Sequence, residues 1–157
     1  MSTASPTITI TIDATAPTAP SVAPDLDTAS DSNITTDNIT NDTTPTVSGT
    51  GLASDAVLVT LYEGATAVGT AVPALNGSSL DYSVTPTNAL SDGTHVLTIK
   101  VKDVSGNEST ASTSISVVVD ATAPVAPSNP AAYLAVPSSA EVIAFAAEPI
   151  DLANTPN

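Results

Sequence analysis

The chain has 157 residues and carries 16 acidic side chains against two lysines, for a formal net charge of −14. A chain with so few cations cannot neutralise a phosphate backbone, which excludes nucleic acid as the first-choice partner and disfavours an anionic membrane surface. No stretch approaches the roughly 20 apolar residues of a spanning helix, so membrane insertion is not expected.

Residues 7–12 alternate Thr and Ile, the period of a half-buried strand. The pentapeptide Asp13-Ala-Thr-Ala-Pro17 follows, and it returns 107 residues later as Asp120-Ala-Thr-Ala-Pro124. The match extends outward. Ile8, Ile10 and Ile12 map onto Ile115, Val117 and Val119, and Pro20-Ser21 maps onto Pro127-Ser128. A fixed period of this length is the sequence signature of a tandem array, and it is the usual size of one β-sandwich. Residues 1–17 therefore read as the last strand and linker of a preceding repeat. Pro17, Pro20 and Pro24 make that connector semi-rigid.

Residues 25–44 contain no run able to form a core, but they hold Asp25, Asp27, Asp31, Asp37 and Asp42. A loop of this length in a compact domain is either functional or disordered. Short strands separated by Gly and Asn turns follow at 45–49, 56–62, 66–72, 80–84, 95–102 and 110–119. Val57, Val59 and Leu61 are expected on one face of their strand, Leu97, Ile99 and Val101 on one face of theirs, and Ile115, Val117 and Val119 inward. With a first strand near residues 21–24 the total is about seven. The fold class is all-β, an antiparallel β-sandwich over residues 18–120.

After Pro127 the repeat fails. A shift of 107 puts Ala132, Leu134, Ser138, Ala144 and Pro149 where the five loop Asp would fall. Residues 121–157 read as linker and weakly ordered tail, with a short helix over 139–147 suggested by Ser138 and Glu141 as a capping box.

The acids are mostly Asp, 12 against 4 Glu, and they cluster. Short-armed carboxylates in loops, with Asn33, Asn38 and Asn41 among them, are the oxygen donors that calcium takes. The loop is no EF-hand: counting from Asp25, position six is Ser30 and position twelve is Thr36. A second group is Asp103, Asn107 and Glu108, in the turn before the last strand. A third is Asp13 and Asp120 at the junctions, where Asp13 is expected to meet the preceding repeat's equivalent of the Asp103–Asn107 turn. The competing reading is that these acids are solvated and supply only solubility.

Three motifs in order, the junction pentapeptide, Asp31-Ser-Asn-Ile-Thr-Thr-Asp37 running on through Asp42-Thr-Thr-Pro-Thr-Val-Ser-Gly-Thr50, and Asp103-Val-Ser-Gly-Asn107, resemble the bacterial Ig-like repeats of giant RTX-type and biofilm-associated surface adhesins. The resemblance covers residues 7–128. It implies an Ig-like sandwich, secreted to the bacterial cell surface, serving as a calcium-rigidified extender that spaces an adhesive tip from the cell. Its partners would be calcium and the neighbouring repeats of its own chain, with no further oligomer. Asp13 and Asp120 would be linker ligands, Asp103 and Asn107 turn ligands, and Asp25, Asp27, Asp31 and Asp37 loop ligands. Asn33 stands where many such repeats carry Gly.

Other functions find less in the sequence. The lone His95, at the mouth of a strand, reads as a hydrogen-bonded strand-end residue rather than a catalyst, and an enzyme is not expected. A sandwich recognising a glycan or a host protein would need an aromatic loop patch, and Tyr62 and Tyr82 fall in strands. An accessory domain of a secreted enzyme is the remaining alternative.

Overall fold

The structure is a computed structural model that describes Thr3 and residues 5–126, and the expected helix at 139–147 and the tail lie outside the described residues. Residues up to Thr122 belong to one compact unit, and Ala123 opens a second, of which residues 123–126 are described.

Nine short strands build the first unit: β1 (Asp25–Leu26), β2 (Ile39–Thr40), β3 (Val47–Leu52), β4 (Ala56–Glu63), β5 (Thr66–Ala71), β6 (Ala74–Asn76), β7 (Ser79–Val84), β8 (Gly93–Asp103) and β9 (Ile115–Val119). They form two sheets, β1-β3-β7-β6 and β2-β9-β8-β4-β5. All pairs are antiparallel except β2 with β9. The all-β sandwich expected from the sequence is thus the architecture observed, and the described residues contain no helix.

The core follows the period-2 patterning. Leu97, Ile99 and Val101 of β8 and Val117 and Val119 of β9 are all but sealed from solvent, facing Val47, Tyr82 and Val84 of the other sheet. Tyr82 lies flat over Gly49, where an added Cβ would come within 2.5 Å of its hydroxyl oxygen. Burial pushes the Tyr82 pKa up to about 12.

Three local expectations are corrected, each for a physical reason. Val57 is half exposed instead of facing inward with Val59 and Leu61. A bulge between Ala56 and Leu58 shifts the register against β8, so Ala56 takes the inward place. Residues 7–12 form no strand, and Ile8, Ile10 and Ile12 are exposed by 75–87%. The strands expected to pair with this segment are those of a preceding repeat, and they are not among the described residues. Finally, β9 begins at Ile115 rather than at residue 110. Residues 108–114 still run beside β8, but serine hydroxyls replace main-chain acceptors. Ile99 N donates to Ser112 Oγ and Val101 N to Ser109 Oγ, while Ser112 N and Ser109 N donate back to the Ile99 and Val101 carbonyls.

The long acidic segment is ordered by its own bonds. Thr40 Oγ1 donates to the Ser30 carbonyl, Ser30 Oγ to Asp42 Oδ2, and Thr46 N to Ser30 Oγ. Asn33 and Asn38 take left-handed backbone angles, φ 67° and 58°. Asn tolerates that region better than most residues, so Asn33 makes the turn that a glycine would otherwise make.

The serine substitution along β8 gives a direct test. Ser109→Ala should leave the Val101 N–H buried without an acceptor and cost about 1–3 kcal/mol in urea denaturation. Ser114→Ala, at an exposed position, should stay within about 0.5 kcal/mol. Equal stability of the two variants would contradict the assignment.

Candidate junction and metal-ligating residues

Most of the sequence-predicted ligands are engaged in making turns. Asp25 Oδ1 accepts from Leu26 N, Asp27 Oδ1 from Ala29 N and Asp37 Oδ1 from Ile39 N, each at 3.0 Å. Asp13 Oδ1 accepts from Thr15 N at 3.0 Å, and Asp120 Oδ1 from Thr122 N at 3.2 Å. All but the Asp25 bond, which reaches the next residue within β1, are Asx turns, in which a short carboxylate folds the chain around its own backbone. Among the described residues, no three His, Asp or Glu side chains converge as a metal-holding group.

Asp31 differs. It is only 5% exposed, and its Oδ1 is buried with no hydrogen-bond partner. A buried carboxylate oxygen left unpaired is costly, so the position is one where a cation or donor is physically called for. The structure does not bring Asp25, Asp27 and Asp37 into one group with it.

The Asp103–Asn107 turn is the second focus. Asp103 is 2% exposed. Its Oδ1 accepts from Asn107 N at 2.8 Å and its Oδ2 from Asn107 Nδ2 at 2.8 Å. The Asn107 side chain, and behind it the neighbouring backbone N–H groups, hold the Asp103 carboxyl below the usual range against the opposing effect of burial. Asn107 Nδ2 also lies 3.1 Å from the Asp13 carbonyl and 3.3 Å from the Thr15 carbonyl. Three acceptors thus surround one amide nitrogen that has two protons. The turn and the incoming linker share a pole: the turn that the Asp13 carbonyl meets is that of the sandwich that follows it. Glu108 leaves this group and pairs with Lys100 at 3.0 Å and Lys102 at 3.7 Å, with Lys100 also over the Tyr62 ring.

Sequence reasoning missed Asp92. It sits in the turn before β8 and binds the outgoing linker: Ala121 N donates to its Oδ1 at 2.9 Å, and Thr122 Oγ1 donates to its Oδ2. The Thr122 hydroxyl, then the Ala121 N–H, hold the Asp92 carboxyl below its ordinary pKa. Nothing in the spacing of Ser91-Asp-Gly93 distinguishes it from an ordinary turn acid. Asp120 meets this turn region and the Thr40 carbonyl, which accepts from Asp120 N at 2.8 Å.

His95 is hydrogen-bonded at both ring nitrogens, Nδ1 to Glu63 Oε1 at 2.7 Å and Nε2 to the Ser91 carbonyl at 2.8 Å. Neither nitrogen is free to accept a proton from a nucleophile. Both partners are acceptors, so the doubly protonated ring satisfies them best. Burial alone would lower the His95 pKa, but the Ser91 carbonyl and the Glu63 carboxylate together outweigh it and raise it. A raised folded-state pKa contributes stability that is fully present below the unfolded value near ~6.5 and is lost as pH rises through the folded value. Stability should therefore fall as pH rises above about 6.5 in the wild type, and His95→Gln should flatten that slope in urea denaturation. Identical slopes would contradict the pairing.

No curated protein matches this chain. The family described as "Bacterial Ig-like domain" matches residues 15–121, a span equal to the spacing of the two Asp-Ala-Thr-Ala-Pro copies. That match covers more than half of the chain, extends from the incoming to the outgoing linker and agrees with the two-sheet architecture, and the chain accordingly belongs to the bacterial Ig-like domain family.

Proposed function

We propose that this domain is a structural extender: one unit of a tandem array on a secreted bacterial adhesin, stiffened by calcium and holding an adhesive tip away from the cell in attachment or biofilm formation. One observation carries the reading. The incoming linker lies against the turn after β8, and the outgoing linker lies against the turn before it. Strand β8 has 11 residues. At about 3.4 Å per residue the two attachment points are separated by about 35 Å along the strand. A domain entered at one pole and left at the other extends a chain with each copy, whereas a domain with adjacent termini would not.

Calcium takes about six to eight oxygen ligands. The described residues offer two oxygen sets of suitable chemistry. One is Asp31 Oδ1, buried and unpaired. The other is Asp103 Oδ2 with the Asp13 and Thr15 carbonyls, which already face a single point at Asn107. Asp103, Asn107 and those carbonyls would hold a junction ion, and Asp31 a loop ion. Asp25, Asp27, Asp37 and Asp120 would act as turn formers that shape those surroundings. The gain is mechanical: an ion at the pole ties linker to sandwich and offsets repulsion in a chain of net charge −14.

Recognition of a glycan or host protein draws less support. Tyr82 is buried against Gly49 and Tyr62 lies under Lys100, so neither offers the exposed ring that such ligands stack on. No catalytic arrangement supports an enzymatic role, since His95 is fully engaged by Glu63 and Ser91.

The test is thermal. A metal that binds only the folded form stabilises by about 2.7 kcal/mol at a 100-fold excess over its dissociation constant. Calorimetry should show a melting temperature that rises on adding millimolar calcium and returns with chelator, with a smaller rise in Asp31→Asn and in Asp103→Asn. Superimposable melts in calcium and in chelator would overturn the calcium part of the proposal.

A further inference from the structure

The two Asp-Ala-Thr copies are held by different atoms, and the two sets do not overlap. At the outgoing copy the donors are used. Asp120 N donates to the Thr40 carbonyl at 2.8 Å, Ala121 N to Asp92 Oδ1 at 2.9 Å, and Thr122 Oγ1 to Asp92 Oδ2. At the incoming copy the acceptors are used: the Asp13 and Thr15 carbonyls both face Asn107 Nδ2. One further bond is common to both. Thr15 N closes on Asp13 Oδ1, and Thr122 N closes on Asp120 Oδ1, so the tripeptide keeps one local fold at both ends of the sandwich.

Superposing the copies by their shared Asx turn makes a complete joint. The N–H and hydroxyl side of the tripeptide faces the sandwich it leaves, and the carbonyl side faces the sandwich it enters. No atom is claimed twice. At Asp13–Thr15, the Asp13 and Ala14 N–H groups and the Thr15 hydroxyl have no partner among the described residues, and these are the groups that Asp92 and Thr40 hold at the other end. The exposed Ile8, Ile10 and Ile12 match Ile115, Val117 and Val119 of β9 in the repeat, so the tripeptide follows them as it follows β9 at the other end.

We propose that Asp-Ala-Thr is a two-sided clamp between successive repeats, in which the preceding repeat's counterparts of Asp92 and Thr40 hold its donors while Asn107 of the following repeat holds its carbonyls. The partner surface is therefore a second copy of this same sandwich, joined head to tail. This inference rests on the extender reading and deepens it, since it assigns rigidity at the joint to peptide hydrogen bonds from both sides. With the whole tripeptide gripped, Ala16 is the one exposed residue left before Pro17, which is buried and whose ring restricts the residue preceding it.

A two-repeat chain tests this, made by following residues 1–122 with residues 16–126, so that Thr122 runs into Ala16 as it does into Ala123. The first unit carries its own core and both sheets, so each copy has what it needs to fold. The chain has no cysteine, so one engineered cysteine in each sandwich takes a spin label without background. Electron–electron distance measurements in calcium buffer should give a single narrow peak for the wild type. Thr122→Val in the first copy, which removes only the hydroxyl, and Asn107→Ala in the second copy should each lose that peak and give a broad distribution. Circular dichroism checks that each variant is folded, and if Asn107→Ala is not, Thr122→Val alone decides. Variants that retain the wild-type peak would overturn the clamp. Chelator separates the two proposals: broadening by the variants but not by chelator keeps the clamp and removes calcium from the joint, while broadening by chelator but not by the variants does the reverse.

Discussion

Strand β8 is paired along different lengths by different neighbours. Its first half, Gly93 to Leu97, pairs with β9, and its second half, Leu97 to Asp103, pairs with β4. Beyond β9, the serine hydroxyls of residues 109 and 112 continue the outer edge. The strand is therefore held along its whole length, with Leu97, Ile99 and Val101 sealed beneath it. Both linkers attach at its ends, to Asp92 just before it and to Asn107 in the turn just after it. A strand held along its whole length places those two attachment points at opposite ends of one sandwich.

The acidic residues divide by what their oxygens already do. Asp27, Asp37, Asp13 and Asp120 spend one oxygen on a nearby backbone N–H and gain an ordered turn from it, and Asp25 spends one on the next N–H in β1. Such carboxylates need no metal to be useful. Asp31 has no such partner for Oδ1, whereas Asp103 lies buried with Oδ1 bonded to the Asn107 N–H and Oδ2 to the Asn107 side-chain amide that three acceptors share.

The sequence carried the sandwich because its strands have clean period-2 patterning and its turns use Gly and Asn. Leu97, Ile99, Val101, Val117 and Val119 face inward as the alternation requires. Val57 broke that rule because a bulge is a backbone event that side-chain patterning does not encode. The early start expected for β9 failed because Ser109 and Ser112 imitate main-chain acceptors, and in so Ser- and Thr-rich a chain nothing sets those two apart. The repeat located the joints, but the contact of Asp13 with Asn107 of the sandwich that follows it was not read from the sequence, which paired Asp13 with the turn of the preceding repeat. Asp92 was invisible because its role depends on where the outgoing chain passes, which only three-dimensional placement reveals.

The central claim is that the linker is bound to the sandwich rather than merely attached to it. Nuclear Overhauser contacts between the Asn107 side-chain amide protons and the backbone protons of residues 13–15 report this directly in solution. The account predicts clear contacts from Asn107 Nδ2 protons to Ala14 and Thr15, since that nitrogen lies 3.1 and 3.3 Å from the carbonyls of Asp13 and Thr15. An absence of those contacts, with random-coil chemical shifts through residues 13–15, would contradict it.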